Sequence, residues 1–288
     1  MSIALVLVHG RAQGGKDKGE LRQLWIDTWK KGLLAGQPDR VDALDIRLPF
    51  YADRLDELVR DSDAFPANVA TRGDPANVDP AYMEFRQQVA EAAAQKAGVL
   101  ADLHREDVYR ERGPMNWNWV QRILQKLESV PGLSGNMIER FTRDVWVYLT
   151  DDDVRQEING IVADELPKSG PVIVLGHSLG SVVAYDILRQ AQGITVPLFL
   201  TVGSPLGVRA IAERLRPIGF PSVAAGWYNA YDDRDAVALN PLDATHFPVV
   251  PAIENFGGIS NGTDNAHGIV GYLNDRTLAA KIWAVIQP

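Results

Sequence analysis

The stretch VIVLGHSLGS at residues 172–181 constrains the chain more than any other. An apolar, β-branched run stops at a glycine, a histidine and a serine. A second apolar run follows, with Val182, Val183, Tyr185, Ile187 and Leu188. The first half reads as a strand buried on both faces, the second as a helix over 178–190. Passing from one to the other demands a sharp turn. Gly176-His177-Ser178-Leu179-Gly180 fits the G-x-S-x-G elbow, in which small residues flank the serine because larger ones would collide with neighbouring segments. A hydroxyl held there stands at the positive end of the next helix, where developing negative charge is stabilised. A glycine-rich turn with an idle serine is the plain alternative. The clean strand before it and the helix after it favour the elbow.

The rest of the chain supplies a sheet for that strand. Residues 3–8 form a continuous apolar run, expected as a central parallel strand. A glycine-rich loop, GRAQGGKDKG, leads into a helical spacing over 20–34 through Leu21, Leu24, Trp25, Trp29 and Leu33. VDALDIRLPFY reads as a second strand. From residue 151 a helix to 166, a strand at 171–175, the helix at 178–190 and a strand at 197–202 alternate. A short helix GVRAIAERL, a strand at 226–231, one more within 249–259 and a closing helix over 272–286 complete the pattern. Strands spaced by helices predict an α/β fold, a mostly parallel sheet covered on both faces. Residues 61–149 interrupt the rhythm. They hold a proline-rich polar stretch, a helix start at Asp79-Pro80 and two apolar stripes, Trp117/Val120/Leu124/Leu127 and Ile138/Phe141/Val145/Tyr148. Because the sheet pattern continues on both sides, the block reads as a helical cap inserted into a single domain spanning 1–288.

Composition narrows the function classes. A chain of 288 residues with net charge −8 and no basic cluster disfavours nucleic acid or an anionic membrane as its main partner. The absence of cysteine excludes disulfides, thiolate metal sites and cysteine nucleophiles. The first nine residues, MSIALVLVH, lack a basic start and a small-residue cleavage site, and no apolar run approaches the roughly 20 residues a bilayer needs. A cytoplasmic protein without stable membrane insertion is expected. The oxygen-rich ISNGTDN holds too few acids for calcium and reads as a polar loop, so no metal or other cofactor is expected.

A serine needs a base, and the base an orienting acid. His104 lies in the cap, His9 ends the first strand, and His177 should point away from the pocket. His246 and His267 remain, both downstream of the serine. His246 follows the last acid of YDDRD too closely for another strand and loop. His267 stands between the last strand and the closing helix, the position the base requires. For the acid, Asp232, Asp233 and Asp235 compete in the turn after GWYNAYD. The loop HGRAQGG lets backbone amides approach a ligand closely. The amides of Arg11 and Leu179 are the candidate oxyanion donors.

At this point the chain resembles the α/β-hydrolase superfamily of serine esterases and lipases. LVLVHG, VIVLGHSLGS, TVGSPLG with WYNAYDDRDAVA, and NAHGIVGYL match in order and span the sheet, leaving the cap unmatched. RDAVA maps the acid onto Asp235, and the histidine followed closely by tyrosine maps onto His267. The resemblance implies an α/β-hydrolase fold and two-step acyl transfer. Ser178 attacks a carbonyl, His267 takes its proton, Asp235 fixes the imidazole, and water releases the acyl group without a cofactor. A carboxylic ester is the expected substrate. A thioester or amide uses the same machinery, and the rival from another class is a non-catalytic binding protein on the same fold. In the cap, Met115, Trp117, Trp119, Val120 and Ile123 read first as packing onto the sheet. Trp117 and Trp119 are the candidates for a pocket wall, which would make the acyl or alcohol portion apolar.

Overall fold

A computed structural model describes residues 3–62, 79–105, 117–130 and 132–286. Its centre is a seven-stranded sheet built from β1 (Ala4–Val8), β2 (Asp45–Arg47), β3 (Gly170–His177), β4 (Ile194–Thr195), β5 (Phe199–Val202), β6 (Trp227–Ala230) and β7 (Glu254–Phe256). The order across it is β2-β1-β3-β5-β6-β7, with β4 beside the start of β3, and every described strand pair is parallel.

Alternation along β1 divides the core. Leu5 and Leu7 join Ile173 and Leu175 on one face, against α1 (Lys18–Gly32), α11 (Ile269–Leu273) and α12 (Arg276–Ile286). Val6 and Val8 join Val172 and Val174 on the other. That face is covered by α3 (Ala52–Asp61), α8 (Asp152–Asp164) and α9 (Leu179–Gln190). A strand apolar on both sides requires this double cover, which is why β1 and β3 read as unbroken hydrophobic runs. Between β1 and β2 lies the short α2 (Pro38–Val41), and α10 (Arg209–Arg214) follows β5.

The cap comprises α4 (Pro80–Lys96), α5 (Leu100–Arg105), α6 (Trp117–Leu127) and α7 (Gly135–Thr150). Asp79 caps α4, its side chain accepting from the Ala81 amide at 2.8 Å with Pro80 in the first turn. The described side chains of both predicted stripes are inside. Val120, Leu124, Leu127, Ile138, Phe141, Val145 and Tyr148 are buried in one apolar cluster with β1 and β3, so these helices add to the second face of the core. Met115 and the polar stretch at 63–78 lie outside the described residues, as does the side chain of Trp117. No helix among the described residues is long and apolar enough to cross a membrane.

Two expectations about elements need correction. The closing helix is two helices, because Asp275 starts afresh: its carboxylate accepts from the amides of Thr277 and Leu278 at 2.9 and 3.0 Å. The second strand is only three residues long, since Pro38–Val41 folds as a helical turn first.

Polar side chains, buried at Thr201 and Asn229 and half-buried at Asn255, pair across the sheet in register. Thr201 donates to Asn229 at 2.9 Å, and Asn229 donates to Asn255 at 2.9 Å. Asn255 in turn donates to the carbonyls of Leu242 and Ile253. These residues are direct partners on β5, β6 and β7.

Candidate active site

β3 delivers Ser178 at the point where the sheet gives way to α9. Ser178 has φ +54° and ψ −130°, a conformation non-glycine residues rarely adopt and one that surrounding packing must hold. Gly180 is what allows the packing: a Cβ there would sit 2.3 Å from the carbonyl oxygens of both Val8 and His9. The first turn of α9 therefore lies directly against the end of β1. The Ser178 side chain is 2% exposed as a residue, sheltered but at the wall of a cavity.

The hydroxyl of Ser178 donates to His267 Nε2 at 2.9 Å. On the far side of the ring, His267 Nδ1 donates to Asp235 Oδ2 at 2.8 Å, with Oδ1 at 3.0 Å. Carboxylates only accept, so this bond fixes the proton on Nδ1 and leaves Nε2 as an acceptor facing the serine. His267 comes from the loop before α11, and Asp235 from the turn after β6. Residues 57 and 32 positions apart in sequence from one another are brought together solely by the parallel order of the strands.

Asp235 is fully buried, which alone would push its carboxyl up. The pull of His267 and the donors around it outweigh burial and hold it below the ordinary carboxylate range. Tyr272 donates its hydroxyl to Oδ2 at 2.6 Å, and the amides of Val237 and Ala238 donate to Oδ1 at 2.8 and 3.2 Å. The other acids of the turn do different work. Asp232 pairs with Arg234 at 2.7 Å and accepts the Asn261 amide at 2.6 Å, tying the acid turn to the loop that carries His267. Asp233 points outward and lies 3.6 Å from Lys96 of the cap.

His246 is remote from this cluster and bonds Asp243 at 2.8 Å. His9 is buried, donating Nδ1–H to the Gly10 carbonyl and accepting the Tyr51 amide, and burial lowers its pKa to about 4. His104 lies in α5. His177 differs from expectation. It lines the cavity and donates Nε2–H to the carbonyl of His267 at 2.8 Å, their rings 4.8 Å apart. Burial, then the neighbouring His267, lowers its pKa to about 3, so it stays neutral beside His267.

The cavity is about 330 Å³. Leu21 and Leu24 of α1, Met137 and Phe141 of α7, and Ile269 and Val270 of α11 supply its apolar lining. Leu24, one of the apolar residues in the helical spacing of α1, is 47% exposed and lines this cavity. Trp119 is not in the wall. It is 1% exposed inside the cap, and its indole N–H donates to Glu91 at 2.7 Å. The assignment of Trp119 to substrate binding is thus corrected: α6 packs on α4 and α7, and α7 alone brings cap side chains to the described cavity wall. Sequence spacing could not separate the two stripes, since both are apolar at helical intervals.

Leu179 begins α9 beside the serine, and Arg11 follows Gly10 after β1. A Cβ on Gly10 would lie 2.8 Å from the Ser178 Cβ, so the backbone leading to Arg11 runs against the serine. Arg11 also reaches the cap, donating from Nε to Asp144 of α7 at 2.6 Å. Tyr272, His177 and Asp144 are the participants that sequence reasoning did not place. Comparison with models of protein families and with curated proteins finds no match.

Proposed function

We propose that this chain is a serine hydrolase of the α/β-hydrolase superfamily that cleaves a carboxylic ester through an acyl-enzyme on Ser178. The observation that carries this reading is the relay of hydrogen bonds from Ser178 Oγ to His267 Nε2 and from His267 Nδ1 to Asp235, at 2.9 and 2.8 Å. A nucleophile, a base and an orienting acid stand in the order their chemistry needs. The chain order serine–acid–histidine and the backbone of Ser178 between Gly176 and Gly180 support the same reading. So does the placement of each group on a loop after a separate parallel strand, β3, β6 and β7.

In the proposed reaction, His267 Nε2 removes the Ser178 proton as Oγ attacks the carbonyl. The imidazolium that forms is stabilised by Asp235, which its own donors keep ionised. The carbonyl oxygen becomes an oxyanion held by the amides of Leu179 and Arg11, with the start of α9 contributing its positive end. His267 then returns the proton to the leaving alcohol. Water, deprotonated by His267, attacks the acyl-enzyme, and Ser178 departs with that proton. His177 anchors the His267 backbone without adding charge.

Labelling by a small fluorophosphonate tests the reading. The wild type should be modified at Ser178, Ser178→Ala should not be modified at all, and His267→Ala should react orders of magnitude more slowly because such groups act as a unit. Undiminished labelling of Ser178→Ala, or a wild type inert to the reagent and to every short-chain aryl ester, would sink it.

A further inference from the structure

The cavity wall carries a charge bias. Among the described residues lining it, Arg11 and Lys16 are the cations, and no Asp or Glu is present, in a chain whose net charge is −8. Arg11 is also half used. An arginine facing a carboxylate ordinarily engages it with parallel N–H groups. Here only Nε donates, to Asp144 Oδ2 at 2.6 Å. The other oxygen, Asp144 Oδ1, already accepts from Arg143 Nε and Nη2 at 3.1 and 3.0 Å. The terminal nitrogens of Arg11 make no hydrogen bond among the described residues.

The brace keeps this unused fork in place. Asp144 is 2% exposed and fixed between two guanidinium groups, while Arg11 keeps 16% of its side chain accessible. Two cations thus share one buried carboxylate, and Lys16, whose Nζ donates to Gln13 Oε1 at 2.8 Å, adds a third charge on the loop that carries Arg11. Asp56 is close enough to interact with both Arg11 and Asp144, but it stands outside the cavity wall. Asp53 accepts the Gly15 amide at 2.6 Å and Asp56 sits under Gly14, both on α3 and neither in the cavity wall. A fork of donors beside an apolar cavity, with its companion carboxylate shared with a second guanidinium, is suited to receive an anion.

We infer that the substrate carries a negative charge, a carboxylate or a phosphate, a short distance from its scissile carbonyl. The Arg11 fork binds that anion and Lys16 supplements it at the mouth. Resting on the hydrolase reading above, this makes Arg11 a bifunctional position: its amide serves the reacting carbonyl, and its side chain selects the substrate. Met137, Phe141, Leu21 and Leu24 then enclose the uncharged remainder.

The test uses matched aryl esters: a hemiglutarate, its methyl-capped neutral counterpart, and an ester of the same length ending in a phosphate monoester. The readout is the ratio of kcat/KM for each anionic ester to that for the neutral one, which cancels general damage to the machinery. The wild type should favour one anionic ester by about tenfold or more, and the better of the two identifies the anion. Arg11→Gln should bring the ratio near one, Arg11→Lys should restore part of it, and Lys16→Gln should lower it modestly. Salt should shrink the wild-type ratio. Free glutarate, or inorganic phosphate, should slow fluorophosphonate labelling of the wild type. If Arg11→Gln does not fold, the wild-type ratio, its salt dependence and the labelling competition decide. Equal or better turnover of the neutral ester by the wild type overturns the inference and leaves the hydrolase reading standing, as does an unchanged ratio in a folded Arg11→Gln. Absence of labelling and of all turnover overturns the hydrolase reading itself.

Discussion

Tyr272→Phe removes one oxygen and leaves the ring in place, and its consequence for stability has a shape in pH that can be worked out beforehand. The hydroxyl donates to the buried carboxylate of Asp235 at 2.6 Å and accepts the Asp232 amide at 3.3 Å. A hydrogen bond to a charged group contributes about 1.5–3 kcal/mol and a long neutral one less, so the loss should be about 2–4 kcal/mol at neutral pH. Two titrations bound that plateau. The folded pKa of Asp235 is depressed, so its stabilisation is present above the ordinary carboxylate pKa of about 3.9 and disappears as pH falls through the folded value. The folded pKa of Tyr272 is raised by burial and by Asp235, so its contribution is intact below the ordinary tyrosine pKa of about 10. Above that, unfolding releases its proton and the advantage declines by up to about 1.4 kcal/mol per pH unit. The difference between wild type and variant should therefore be flat from about pH 5 to 9 and narrow on either side. Tyr51, Tyr82 and Tyr148 are raised as well, but they are common to both proteins and cancel. Equilibrium urea unfolding of the pair at a series of pH values between 3 and about 10.5 reads this directly. A difference independent of pH up to 10.5, or one under about 0.5 kcal/mol at pH 7, would refute the hydrogen-bond argument.

Other substitutions probe the packing. Gly180→Ala places a Cβ 2.3 Å from two backbone oxygens and should cost on the order of 4 kcal/mol or prevent soluble expression. Gly160→Ala, in an exposed turn of α8 where a Cβ meets nothing, should gain roughly 0.5–1 kcal/mol in the same unfolding assay. Trp119→Phe forfeits the bond to Glu91 and should lower stability by about 1.5–3 kcal/mol while leaving the rate of fluorophosphonate labelling at Ser178 unchanged. Phe141→Ala should cost about 3–5 kcal/mol in unfolding and also shift ester preference toward longer acyl chains, a pairing that Trp119→Phe should not show.

What the sequence made legible was set by backbone patterns with short range. The strand ending in Gly176-His177-Ser178 declares itself because its run from Val172 to Leu175 is wholly apolar and turns polar only where it ends. Asp79-Pro80 marks a helix start by local chemistry alone. His267 could be separated from His246 by counting the residues a further strand needs, and the structure places His267, not His246, beside Ser178. The side chains that complete the site obey no such pattern. Arg11 meets Asp144 across 133 positions, and Tyr272 meets Asp235 across 37, so nothing local announces either contact. His177, expected to point away from the pocket, instead donates to the His267 carbonyl, because the turn at Ser178 redirects the chain just after it. Trp119 misled for the opposite reason: aromatic residues at helical spacing look alike whether they meet a cavity or another helix.

The row of paired polar side chains through β5, β6 and β7 bears on how those strands find one another. Strands of four residues or fewer could pair in several alignments with similar burial. Thr201, Asn229 and Asn255 satisfy each other only when all three stand abreast. Sliding β6 by two residues would preserve which faces are buried and leave Asn229, 2% exposed, without its partners. Polar groups in the middle of a core thus act as an alignment key: they add little to the free energy of the correct sheet and weigh heavily against every incorrect one. Since the turn carrying Asp235 leaves from the end of β6 and the loop carrying His267 leaves from beyond β7, the same key fixes the height at which acid and imidazole meet.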